Sequence, residues 1–183
     1  MRKLLVVALV AVVVALGAVP AYAALSESLS SEAPTSVDGT SATAVFDIGD
    51  RHIREVRYVD RSTLIYTFTL VNDGRLPLRV EGLDPLPRKP TLLTYKKLED
   101  ASGEAEFTIG AGDRKVVHLS MLMSACERLS ARAGSFATEV RLRISRLSVI
   151  DKVVTVQLPE ELHTGSAREA YCPRSTSKSR PPG

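Results

Sequence analysis

The chain has 183 residues, with 24 Lys and Arg against 21 Asp and Glu, three His, two Cys and no Trp. That length fits one domain with a sizeable core. The nearly balanced charge argues against a nucleic-acid binder, which needs clustered positive charge, and five Tyr and four Phe offer little to stack bases or sugars on.

Residues 1–23 read as a cleavable secretory signal peptide. Arg2 and Lys3 give a positive start, Leu4 to Val19 is an uncharged apolar run, and Pro20 breaks any helix. Ala21-Tyr22-Ala23 then supplies the small-x-small pattern a signal peptidase accepts, so cleavage is expected between Ala23 and Ala24. The apolar run is shorter than the roughly 20 residues that span a bilayer. Cleavage removes Arg2 and Lys3 and leaves 22 basic against 21 acidic residues. No Cys follows the cleavage point and no apolar segment follows Leu158-Pro159-Glu160-Glu161, so neither a lipid nor a sortase anchor is expected. The expected location is outside the membrane, secreted or held at the envelope by surface contacts.

Residues 24–41 are rich in Ser, Thr, Ala and Pro without strand-like alternation, and are expected to be a flexible spacer. The domain is expected over residues 42–172. Strands are read at Ala42 to Ile48 and Arg54 to Val59, and then more clearly at Thr63 to Val71. There Leu64, Tyr66, Phe68 and Leu70 share one face and Thr63, Thr67 and Thr69 the other. Asn72-Asp73-Gly74 turns the chain into an alternating stretch from Leu76 to Val80. Leu92 to Leu98 and Phe107 to Ile109 follow, then a turn at Gly110-Ala111-Gly112-Asp113, then a strand with Val117, Leu119 and Met121 inward. Ser124 to Ala133 reads as a loop or single helical turn. Glu139 to Ser145 sets Val140, Leu142 and Ile144 against Glu139, Arg141 and Arg143, and Val153 to Leu158 completes a hairpin with it. Residues 173–183 form a polar basic tail, expected to be disordered. About seven to nine short strands and no helical stripe give an all-β class, an immunoglobulin-like antiparallel β-sandwich.

Phe68-Thr69-Leu70-Val71-Asn72-Asp73-Gly74, followed by Leu76-Pro77-Leu78 and Val80-Glu81-Gly82, resembles the F-x-L-x-N-x-G-x-x-P-(V/L)-x-(V/I) pattern of immunoglobulin-like domains in bacterial surface and secreted proteins. The stretch from Cys126 to Cys172, with its hairpin ending Val156-Gln157-Leu158-Pro159, is similar to uncharacterised secreted proteins of actinomycetes. The excess of Arg over Lys points the same way, to a GC-rich bacterial genome. The resemblance implies a sandwich over roughly residues 42–172 and carries over no functional residue.

Cys126 and Cys172 are an even pair in an exported chain and are expected to form a disulfide, worth about 4 kcal/mol on the chain-entropy model. Their spacing lacks the C-x-x-C of a redox motif. No G-x-S-x-G, H-E-x-x-H or phosphate-binding glycine loop is present. His118 beside Ser120 suggests a general base and a nucleophile, but an outward polar strand position explains both. Asp47, Asp50 and Asp73 lack calcium-loop spacing, Glu104, Glu106 and Asp100 lack aromatic neighbours for a sugar, and His52 and His163 stand apart. Neither a cofactor nor a metal is therefore expected. One surface stands out: Arg141, Arg143 and Arg146, on or near the outward face of the Glu139 to Ser145 strand, with Arg128 and Arg132 in the Cys126 loop, and Arg54 and Arg57 if the fold brings them alongside. Bidentate guanidinium contacts would suit an anionic envelope polymer there. The expectation is a non-enzymatic interaction module whose partner is a protein or an envelope polymer. The alternatives are an assembly domain pairing through sheet edges and a hydrolase built from scattered residues.

Overall fold

The computed structural model describes residues 29–84, 92–124, 134–146 and 150–164. Ten strands lie in them: Leu29–Asp38 (β1), Ala42–Ile48 (β2), Arg51–Val56 (β3), Thr63–Asn72 (β4), Leu78–Leu83 (β5), Leu93–Asp100 (β6), Phe107–Ile109 (β7), Arg114–Met123 (β8), Phe136–Arg146 (β9) and Ile150–Thr164 (β10). They form a four-stranded sheet, β1-β4-β8-β6, and a six-stranded sheet, β2-β3-β10-β9-β5-β7. The fold is the expected all-β sandwich. No helix among the described residues is long and apolar enough to cross a membrane.

Period-2 alternation builds the core. β4 sends Leu64, Tyr66, Phe68 and Leu70 inward, and β8 adds Val117, Leu119, Met121 and Met123. The other sheet answers with Val140, Leu142 and Ile144 of β9 and Val154, Val156, Leu158 and Leu162 of β10. Each such side chain contributes about 1.5–3 kcal/mol by leaving water. β9 and β10 pair antiparallel from Arg146↔Ile150 onward, which is the expected hairpin.

Two turns pass the chain between sheets, and Asn72 joins them. It is fully buried. Its side-chain amide donates to the carbonyls of Leu76 (2.9 Å), Ile109 (3.1 Å) and Gly110 (2.9 Å), while its own oxygen accepts from the Gly74 N–H at 3.1 Å. The turn after β4 and the turn before β8 thus share one side chain.

Four sequence expectations change. First, Leu29–Asp38, inside the expected spacer, is a strand in register with β4 from Leu29↔Asn72 to Asp38↔Ile65. None of its residues is fully buried, and only Leu29 and Val37 pack against the core. Backbone pairing and polar contacts hold it, including Ser30 to Asp73 (2.7 Å) and Glu32 to Arg114 (3.1 Å), so hydrophobic alternation had nothing to display. Second, β10 runs on through Pro159 to Thr164, well past Leu158. Pro159 is tolerated because the ladder to β9 is interrupted between Gln157 and Leu162. Third, β10 pairs parallel with β3, so the sandwich is not wholly antiparallel. Fourth, the described strands number ten rather than seven to nine. The signal segment, Cys126, Cys172 and the basic tail lie outside the described residues.

Asp100 closes the turn after β6. It accepts the N–H groups of Ser102 (2.8 Å) and Glu104 (3.1 Å) and pairs with Lys115 at 3.0 Å. The Lys115 contact, helped by the Glu104 and Ser102 amides, holds its carboxyl below the usual range. A carboxyl depressed in the folded state stabilises fully above the unfolded value of about 4, and loses that contribution as pH falls through the folded value. Asp100→Asn should therefore flatten the acid limb: its urea midpoint should fall less than wild type between pH 5 and pH 2.5. Parallel declines would contradict this.

Candidate functional site

A two-sheet sandwich has four sheet edges, and exposed edges invite pairing unless they are blunted. Three are blunted here. β1 carries Pro34 within a register shift between Glu32 and Ser36, and leans on β10 through Ser31, which donates to the Gln157 carbonyl. β6 carries exposed Lys96 and Lys97 beside a shift between Tyr95 and Lys97. β7 is three residues long. β2 differs. It has a register shift of its own, between Ala42 and Ala44, but neither Pro nor Lys; Ala44 to Ile48 pair regularly with β3, and no strand among the described residues covers its other side.

The surface beside this edge is apolar. Register partners share a face of a sheet. Phe46 stands opposite Ile53, Ile48 opposite Arg51, and Glu161 lies beside Ile53. This is the outer face, because the alternate positions Arg54 and Leu162 point between the sheets. Phe136 and His163 pair on the same face, with rings stacked at 4.4 Å. Phe46 (39%), Ile48 (55%) and Phe136 (48%) are exposed although Ile53 between them is buried. Val45, 57% exposed, projects on the opposite face of the strand.

The charges here are already engaged. Arg51 donates its Nε to Glu161 at 2.7 Å, and its guanidinium lies 5.3 Å from the centre of the Phe136 ring. The contact raises the pKa of Arg51 and holds the Glu161 carboxyl below the usual range, so both are charged at neutral pH. His52 Nδ1 meets Asp47 at 2.6 Å.

Behind the edge lies a polar cluster inside the sandwich. Glu160 occupies the inward row of β10 between Leu158 and Leu162, and is 7% exposed. Arg54 donates its Nε to it at 2.7 Å. The Tyr66 hydroxyl donates to the same carboxylate oxygen at 3.3 Å, and Thr35 of β1 hydrogen-bonds it too. Arg54 also reaches Thr35 at 3.1 Å. Burial, with the Glu160 charge beside it, drives the Tyr66 phenol well above its usual range. The cluster pins β1 and β4 of one sheet to β3 and β10 of the other.

The expected basic strip does not assemble among the described residues. Arg146 is buried at 4%, not outward: it follows Val140, Leu142 and Ile144 in the inward parity of β9. Arg54 is likewise turned inward, to Glu160. Arg141 lies 2.9 Å from Asp84, while Arg143 and Arg57 are exposed. Arg128 and Arg132 lie outside the described residues. The other candidates are engaged in local contacts. His118 Nδ1 meets Thr67 at 2.8 Å and Ser120 is buried. Glu106 pairs with Arg79, and Asp73 accepts from Ser30. No three His, Cys, Asp or Glu side chains among the described residues gather as a metal-binding set.

No family model matches the chain, and no curated protein matches it. Among solved structures it is similar to the cupredoxin domain of amoB from Nitrosocaldus yellowstonii, at 14% identity and a TM-score of 0.27, with 66% of this chain and 65% of that chain covered. It is also similar to the X-ray structure of Northeast Structural Genomics Consortium target SoR45, at 11% identity and a TM-score of 0.32, with 73% of this chain and 86% of that chain covered. The chain thus spans about two thirds of the first of these.

Proposed function

We propose that this chain is an exported, non-enzymatic interaction domain that meets its partner through the β2 edge and the apolar face beside it. The observation that carries this reading is the contrast among the four edges: β1 carries Pro34, β6 carries two lysines and β7 is three residues long, while β2 has none of these and exposes Phe46 and Ile48. Sheet edges add strands through backbone hydrogen bonds, while neighbouring apolar side chains supply burial. The signal-like residues 1–23 support export. The engagement of His118, Glu106 and Asp100 in local contacts supports a binding role over a hydrolytic one.

Retention on purified cell envelope tests the reading. The wild-type protein should be retained and Phe46→Lys should not, because a lysine there sets a charge against the incoming apolar surface. Equal retention of the two would contradict the role given to the edge. The mature N-terminus should be Ala24 by mass spectrometry, and Met1 on the exported protein would overturn the export claim.

A further inference from the structure

We infer that the β2 edge pairs with the β2 edge of a second copy of this chain, a proposal that rests on the edge being an interface at all. Three observations select this occupant. The outer face beside the edge carries a compensated ion pair, Arg51 with Glu161, and on the opposite face Asp47 is held by His52, so neither pair favours a partner of one charge sign. Asp47 is also the one charged residue in Ala42–Ile48, so a two-fold axis anywhere but on Asp47 sets no like charges opposite each other. Lastly, the strand is size-complementary to itself. Antiparallel pairing centred on Val45 places Phe46 opposite the second copy's Ala44, large against small, on the outer face where Ile53 is already buried.

The resulting dimer is isologous: the same patch serves on both sides and closes the assembly at two copies. Pairing joins the two six-stranded sheets edge to edge and gives the open backbone groups of both β2 strands their partners. It also brings the two exposed Val45 side chains face to face.

Sedimentation equilibrium of the exported protein over a wide concentration range tests the inference. Wild type should move from one-chain to two-chain mass as concentration rises. Phe46→Lys and Val45→Lys should each stay at one-chain mass where wild type is paired. Val45 stands opposite Arg54, so the thermal midpoint of the one-chain Val45→Lys protein is compared with that of unpaired, dilute wild type; a match within about 2 °C separates lost pairing from lost folding. A wild type that stays at one-chain mass throughout overturns the second copy as occupant. So does a Val45→Lys protein that still pairs. If wild type stays at one-chain mass yet Phe46→Lys loses envelope retention, the second copy is overturned as occupant while the edge stands as an interface for another protein.

Discussion

Arg54→Met is expected to destabilise the fold by about 3–5 kcal/mol, the cost of leaving a buried charge without its partner. The stranded group is Glu160, held in an apolar row between Leu158 and Leu162 with a guanidinium 2.7 Å away. Removing Arg54 leaves, among the described residues, the Tyr66 and Thr35 hydroxyls to solvate the carboxylate. Removing both charges should cost much less. The double variant Arg54→Met, Glu160→Met is expected within about 2 kcal/mol of wild type, the residue being two hydroxyls without their acceptor. Urea denaturation of the three proteins measures both numbers. A single variant within about 1 kcal/mol of wild type would mean that Glu160 is not carrying a buried charge. The loss should also be felt locally: because Thr35 is tied to this cluster, hydrogen exchange of β1 should accelerate in Arg54→Met.

The second large effect belongs to Asn72. Asn72→Ala strips three carbonyls of their donor and the Gly74 N–H of its acceptor, at about 1–3 kcal/mol for each buried group left unsatisfied. The three carbonyls share two amide hydrogens, and relaxation recovers part of the rest, so a net loss of about 3 kcal/mol is expected. Asn72→Asp should be worse at neutral pH, since a carboxylate would face the carbonyl oxygens of Leu76, Ile109 and Gly110. Burial and those oxygens would raise its folded-state pKa. The stability gap between Asn72→Asp and wild type should therefore narrow as pH falls and the carboxyl gains a proton. A gap independent of pH would contradict the hydrogen-bond assignment.

These two residues show where sequence reading works and where it stops. The turn at Asn72-Asp73-Gly74 was legible because its residues favour turns. That Asn72 also binds the distant turn at Ile109 and Gly110 was not, because the contact depends on how the sheets stack. β4, β8 and the β9–β10 hairpin were legible as clean alternations of inward apolar and outward polar residues. Glu160 broke that pattern and hid the end of β10 from Pro159 to Thr164, since a charge in an inward row makes sense only once Arg54 and Tyr66 are known to face it. Arg146 is different: its parity with Val140, Leu142 and Ile144 already placed it inward, and its charge masked that signal. β1 escaped notice because it is held by pairing and polar contacts.

The candidate site was harder still. Ala42 to Ile48 was readable as a strand, but no local property marks it as an edge. Edge position follows from the sheet order, and the exposure of Phe46 and Ile48 follows from that position, whereas Phe136 stands on the interior strand β9. The same topology dissolved the basic strip by turning Arg54 and Arg146 inward and pairing Arg141 with Asp84.

The most direct test of the edge is photo-crosslinking in the producing cells, with the reactive side chain placed at position 46 in one protein and at position 97 in another. Both positions lie on terminal strands, but Lys97 stands on the blunted edge of β6. Position 46 should give discrete higher-mass adducts, resolved by mass spectrometry into a second copy or another protein, and position 97 should give none. Adducts from position 97 alone, or from neither position, would contradict the assignment of β2 as the interface.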